Sequence, residues 1–401
     1  MTFQLGMLDG LSGRALGALG GAPNASPNMG LIFSLPLDDL GAGLVNTTPL
    51  MAMGSPTPTF TRATVKWTKL STGLWASVAS GSAASCYLGA DTAVGAYGGY
   101  FAEGAGTQLV TPTASIRDMT NAAWTAGATM TVAKDGTGID GVANSCSRLT
   151  GGAVSATNTI FQTLVAAASS RTYSVWLKRV TGTGTINITQ DGGVGYTDVT
   201  SQINSSTFTR VSLTASQLNA AFGIQVVTDT DVILADFNQF EAGAFATSPM
   251  AAAGAARNAD VLTYATAGNF DGTRGSFYGE VSGQVSSAQR LGPSGPAGTA
   301  LYQASGTLAM WDGASNAVGP AITLSQTVQK VASRWGGTLR QMYLSGTKGT
   351  ENTNFDGDLS VGATMGFGCD SAGGNPLHGT LRNLRIYSRA LTDAQLQAMT
   401  A

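Results

Sequence analysis

Charge is what this 401-residue sequence lacks most, with Asp, Glu, Lys and Arg together only 11% of it and a formal net charge of −2. Ordinary globular chains carry roughly 25% charged residues. Nucleic acids are gripped by Lys and Arg neutralising phosphates, so a nearly neutral chain offers no grip on them. Histidine is almost absent: His378 stands alone. Catalytic triads and His-ligated zinc sites need an imidazole held by an orienting partner, and no H-x-x-x-H or G-x-S-x-G accompanies it. In its Gly-Asn-Pro-Leu-His-Gly turn, His378 is expected as a solvated loop residue. The three cysteines, Cys86, Cys146 and Cys369, lie far apart without a C-x-x-C pair. Such spacing excludes a disulfide framework or zinc site and leaves three buried thiols. No apolar run of about 18 residues exists, so membrane insertion is not expected. The first thirty residues lack a basic start and are interrupted by Asp9 and Arg14, a poor signal peptide. Synthesis in a cytoplasm, with any outside role reached by assembly, is the expectation. Phosphate-binding and dinucleotide fingerprints are missing as well.

What is present is glycine, 54 residues of it, with much Ala, Thr and Ser and a 43% hydrophobic content in short alternating runs. That pattern predicts an all-β chain rather than disorder. Tyr173, Val175 and Leu177 share one face of a strand, and Asp-Gly pairs at 271, 312 and 356 mark hairpins. Trp176, within that strand, is expected as a plug between sheets, and Trp124 is a further core candidate. The C-terminus is the most explicit segment. A Gly/Asn/Pro turn leads into a strand with Leu384 and Ile386 on one face and Arg385 and Tyr387 on the other. A helix start follows, with Thr392 as N-cap, Gln395 as its capping-box partner, and Leu391 and Leu396 as the hydrophobic staple.

The order G-x-[LI]-x-x-[LV]-x-I-Y-x-R-A-L-[ST]-x-x-[EQ]-[LI] resembles the closing strand and helix of concanavalin A-like/laminin G-like jelly rolls. Further motifs resemble tailed-bacteriophage virion proteins: Phe-Thr-Arg-Ala-Thr at 60–64, Asn-Ala-Ala-Trp at 121–124, and Phe-Glu-Ala-Gly-Ala-Phe-Ala-Thr-Ser-Pro at 240–249. The latter two are similar to the opening and exit of a carbohydrate-binding-module-like jelly roll. The expected architecture is therefore all-β, with two β-sandwich (jelly-roll) domains at 113–250 and 260–401 joined by a linker at 251–259. An extended N-terminal attachment arm at 1–30 and a small β-rich anchoring region at 31–112 precede them. The arm's Leu5, Leu8, Leu11, Leu16 and Leu19 have no core of their own and are the expected virion attachment residues.

The resemblance implies a virion surface protein of fibre or adhesin type that binds host-surface glycans weakly and multivalently. A capsid (head) decoration or head fibre protein is the alternative, and a polysaccharide depolymerase a third reading. Its partners would be capsid or tail/baseplate proteins, further copies of itself as a homotrimer, and host glycans; its location would be the virion. Sugar rings stack on aromatic faces, so Trp311, Trp335 and Tyr343, with Asp370 as a polar partner, are the carbohydrate-binding candidates. No cofactor is expected, although laminin G-like folds often hold Ca2+ on loop oxygens, for which Asp312, Asp356 and Asp370 are eligible. Glycoside hydrolysis needs two facing carboxylates. Asp356 and Asp358 read first as a turn, and Asp236 and Glu241 as structural, so no enzyme activity is expected.

Overall fold

The computed structural model describes residues 31–35, 58–70, 72–83, 85–86, 99–254, 256–283, 288–325 and 327–401. The expected attachment arm, with Leu5, Leu8, Leu11, Leu16 and Leu19, lies outside them. The described chain is nearly all β, built as two sandwiches of antiparallel sheets.

In the central sandwich one sheet runs, in spatial order, Thr209–Gln217, Ser169–Thr181, Val232–Ala242, Cys146–Thr150, Thr131–Gly136. The facing sheet runs Thr197–Asp198, Ile186–Thr189, Ala221–Val226, Thr159–Thr163, Thr125–Ala126. Alternation sends Tyr173, Val175 and Leu177 inward, where they share one core with Ile160, Ile188 and Phe222. Phe222 is the hub: Phe240 stacks on it at 4.4 Å, and Trp124 meets it edge-on at 5.7 Å. A bulge at Phe237 (φ +45°) sets two residues, Phe237 and Asn238, against Val175 alone on the neighbouring strand. The inward series therefore runs Ile233, Ala235, Phe237 and then Phe240, all fully buried.

The second sandwich has a sheet ordered Thr347–Lys348, Leu339–Leu344, Gln329–Gly336, Arg274–Gly283, Gly379–Tyr387, Gly99–Ala102, Ser85–Cys86. Leu31–Leu35 also pairs with Gly379–Tyr387. Opposite it lie Thr59–Thr61, Val261–Ala265 and Thr364–Phe367, joined by bridges of Ser294 to Gly366 and Thr299 to the four strands between Ala288 and Ala321. Phe277, Leu381, Leu384 and Ile386 from the first sheet pack against Leu262, Leu301, Met310 and Phe367 from the second.

Residues 31–112 are thus not a layer of their own. Leu31–Leu35, Thr59–Thr61, Ser85–Cys86 and Gly99–Ala102 are strands of the C-terminal sandwich, and Phe60 and Tyr100 lie in its core. Two- to five-residue strands cannot stand alone in water and must pair with a distant sheet. The central sandwich is consequently an insertion. The chain enters it beside Gly106–Thr107 and leaves through Ala256–Arg257, which pair antiparallel with each other. The expected 251–259 linker is partly structural as well, because Arg257 is buried.

Charges concentrate at this neck. Asp260 binds Arg62 at 2.7 Å and Lys66 at 2.5 Å, while Glu103 lies 3.3 Å from Lys66 and 3.5 Å from Arg257. No side chain of the five is more than 3% exposed. Burial alone would raise the Glu103 carboxyl, but Arg257, Lys66 and hydrogen bonds from Ser248 hold it down at about 2.

Candidate functional site

The structure separates the residues that the sequence offered as a sugar site. Trp335 is fully buried, its Nε1 donating to the Asp271 carbonyl at 2.9 Å and its ring stacked on Phe270. Tyr343 is also fully buried, beneath the C-terminal helix Asp393–Thr400, in a cluster with Tyr387, Leu391 and Leu396. Neither ring can offer a face to a saccharide, which corrects that expectation. Trp311 is half-buried at a strand end opposite Asn316. Asp370 turns inward and accepts from the Ala372 and Gly374 amides at 2.9 and 2.8 Å.

The eligible metal ligands are likewise dispersed. Asp312 is fully buried against Arg340 at 2.8 Å, and Asp356 is exposed, accepting from the Asp358 amide in the turn expected there. Among the described residues no three His, Cys, Asp or Glu side chains converge to hold a metal ion.

A cleft of about 570 Å³ opens elsewhere, on the outer face of the central sandwich. One side is the hairpin of Lys66–Lys69 and Trp75–Val78, turned at Gly73 (φ +84°). The Trp75 amide donates to the Ile139 carbonyl at 3.0 Å, which ties the hairpin to the loop after Thr131–Gly136. Beneath that loop Arg117 reaches Asp140 at 2.6 Å and Asp236 at 2.8 Å, with its guanidinium 4.5 Å from the Phe237 ring centre. Burial opposes its charge, yet the two carboxylates hold Arg117 above its ordinary range.

The floor of the cleft is aromatic. Trp75 and Trp176, each only 8% exposed, meet edge to face at 5.1 Å with their outer edges toward the cleft, and Leu234 continues the apolar surface. Leu74 and Val180 form ledges that are 43% and 44% exposed, so the apolar surface reaches solvent. Around it stand Lys69, Asp135, Arg148, Lys178, Ser206 and Thr207. Arg148 and Lys178 flank Leu234 in register across three neighbouring strands. Asp135 is the single carboxylate of the lining, and it binds Arg148 Nε at 2.9 Å. An apolar floor with a polar rim suits a ligand that has both C–H faces and hydroxyl edges.

Trp176 lies opposite to where an intersheet plug would be. Tyr173, Val175 and Leu177 fill the inward face of its strand, so its ring points outward and is covered by Trp75. Leu74-Trp75 was a visible apolar pair after a glycine, but what it covers depends on a sheet more than fifty residues away. A smaller cavity of about 130 Å³ lies behind the two tryptophans, lined also by Phe101, Arg210 and His378. His378 is therefore not the solvated loop residue expected. It is half-buried against Phe245 with ring centres 4.8 Å apart, and burial pushes its pKa down to about 4. Asp236 and Glu241 are structural, each engaged by backbone amides and side chains.

No protein-family model matches the chain, and no curated protein matches it. Solved structures are partly similar. Domain 4 of AbnA, a GH43 extracellular arabinanase from Geobacillus stearothermophilus, shares 18% identity with a TM-score of 0.30, over 36% of this chain and 73% of that one. The CBM40 of the Ruminococcus gnavus IT-sialidase shares 14% identity with a TM-score of 0.29, over 33% of this chain and 87% of its own. A Trypanosoma rangeli sialidase shares 15% identity with a TM-score of 0.28; the match spans 35% of this chain and only 26% of the sialidase.

Proposed function

We propose that the protein is a surface structural protein of a tailed-phage virion that binds host glycans without cleaving them. The observation that carries the binding half is the cleft, where exposed apolar ledges at Leu74 and Val180 adjoin a floor of Trp75 and Trp176 within a polar rim. The virion half rests on the sequence motifs at 60–64 and 240–249. Residues 1–30 would seat the protein on other virion proteins, and trimeric display would multiply weak sites by avidity of about 10²- to 10⁴-fold. The lining supports binding without hydrolysis. Asp135 is committed to Arg148, and no second carboxylate of the lining faces it across a sugar-sized gap.

The test is a glycan array and a reducing-end assay on host polysaccharide, using the full chain. Trp75→Ala should cut binding at least about tenfold, as loss of an aromatic anchor commonly does. Because Trp75 also packs, Leu74→Asn and Val180→Asn serve as parallel variants at exposed positions whose fold should be unchanged. Binding that survives all three substitutions places the site elsewhere and sinks the reading. Release of reducing ends would overturn the non-catalytic half, and failure to bind any host glycan would favour a head-decoration role.

A further inference from the structure

The cleft carries a charge bias that the chain as a whole does not. The sequence has 21 Lys and Arg against 23 Asp and Glu. Beside Leu234 the cleft sets Arg148 and Lys178 against Asp135, one more positive charge than negative among the three. Three further cations (Arg62, Lys66, Arg257) are spent on Glu103 and Asp260 inside the neck. Placing positive charge beside an aromatic floor is a property of this site.

We infer that the cleft selects an acidic saccharide, one whose carboxylate or sulfate lies between Arg148 and Lys178 while a sugar face covers Leu234; this rests on the glycan-binding reading above. The register fixes the geometry. Arg148 and Lys178 sit on strands either side of the one bearing Leu234, so their Cβ atoms are two strand spacings apart, about 10 Å. An acidic group above Leu234 is within reach of both side chains. Lys178 has no acidic partner among the described residues, and the Arg148 pair engages only Nε, at a half-exposed position. A neutral sugar laid over these cations replaces their water only with neutral hydroxyl acceptors, whereas an anion supplies the stronger charge-assisted hydrogen bonds. The apolar ledges keep recognition from being purely electrostatic.

The experiment measures retention of the full chain by affinity electrophoresis in polygalacturonate, dextran sulfate and neutral dextran. Runs are made at low salt and at about 0.5 M salt, where exposed charges are largely screened. Retention is expected in an acidic polymer, with carboxylate or sulfate identified by which of the two retains, and it should weaken at high salt. Lys178→Met and Arg148→Met should each weaken it by about two- to fivefold, the scale of an exposed ion pair. Leu74→Asn should weaken it too, and Arg274→Gln, an exposed cation of the other sandwich, should not. Equal retention in neutral dextran, or full retention by Lys178→Met, overturns the acidic assignment but leaves glycan binding standing. Loss on Arg274→Gln as large as on Lys178→Met marks plain ion exchange and also overturns it. No retention in any polymer, with no binding on the array, removes both the inference and the reading beneath it.

Discussion

His378 shows how a single side chain takes its chemistry from packing that the local sequence does not display. A Gly-Asn-Pro-Leu-His-Gly stretch reads as an open turn, and the turn is real: His378 has φ +53°. The ring nevertheless lies against Phe245 of the other sandwich, near Glu103, Arg257, Lys66 and Asp260, and burial takes its pKa from 6.5 to about 4. Between those two values the unfolded chain binds a proton that the folded chain refuses. Stability should therefore fall as pH drops through this window, by at most about 3 kcal/mol. Glu103, held at about 2, contributes a separate loss that begins only below its ordinary value of 4.5. Asn tolerates the left-handed backbone and does not titrate. His378→Asn should accordingly flatten the difference between urea midpoints near pH 7 and about pH 4.5. An unchanged difference would mean that other groups set it. Trp176 teaches the same lesson in another form. Expected as a plug between the sheets, it faces outward, opposite Tyr173, Val175 and Leu177, because no local pattern says that a distant hairpin will cover that face with Trp75.

Elements were legible where their determinants are local. The closing strand and helix form as their residues dictate. The Thr392 hydroxyl accepts from the Gln395 amide and the Gln395 side chain accepts from the Thr392 amide, with Leu391 and Leu396 both buried. Thr392→Ala should cost about 1 kcal/mol and Thr392→Ser almost nothing, measured as a shift in thermal or urea unfolding. Equal loss in both would assign the effect to the methyl group rather than the cap. The same strand also holds what the pattern did not disclose. Leu381 and Leu384, three apart, both face the core because Asn383 adopts φ +52° and bulges, as the register against Arg274–Gly283 records. The hairpin that walls the cleft was equally hidden. Its four-residue strands are ordinary, and its role comes from docking Trp75 on Trp176 and Trp67 on Phe237.

At the scale of the molecule, the two sandwiches read correctly from strand and turn spacing, while their connection did not. Composition cannot reveal that Thr59–Thr61 pairs with Val261–Ala265 some two hundred residues later, or that Gly99–Ala102 extends the sheet holding the C-terminal strand. The consequence is an asymmetry between the sandwiches. A fragment spanning 260–401 lacks Phe60, Tyr100 and Ala102 from its core and exposes one side of both Val261–Ala265 and Gly379–Tyr387. It should aggregate or fail to unfold cooperatively, since unpaired edges and an incomplete core favour association. The insertion should be removable, because Gly106–Thr107 and Ala256–Arg257 already lie side by side. Replacing 108–254 by a short Gly/Ser turn, with Trp67→Ser and Trp75→Ser to blunt the uncovered hairpin, should leave a soluble β-sandwich with one thermal transition. It should be less stable than the whole chain, because Ser248 no longer holds Glu103 and Arg257 in the neck. Circular dichroism and calorimetry on both pieces decide the matter. If 260–401 alone melts cooperatively, the N-terminal strands are accessories and neither the shared sheets nor the neck, of which that fragment keeps only Asp260, is needed to hold the C-terminal sandwich together.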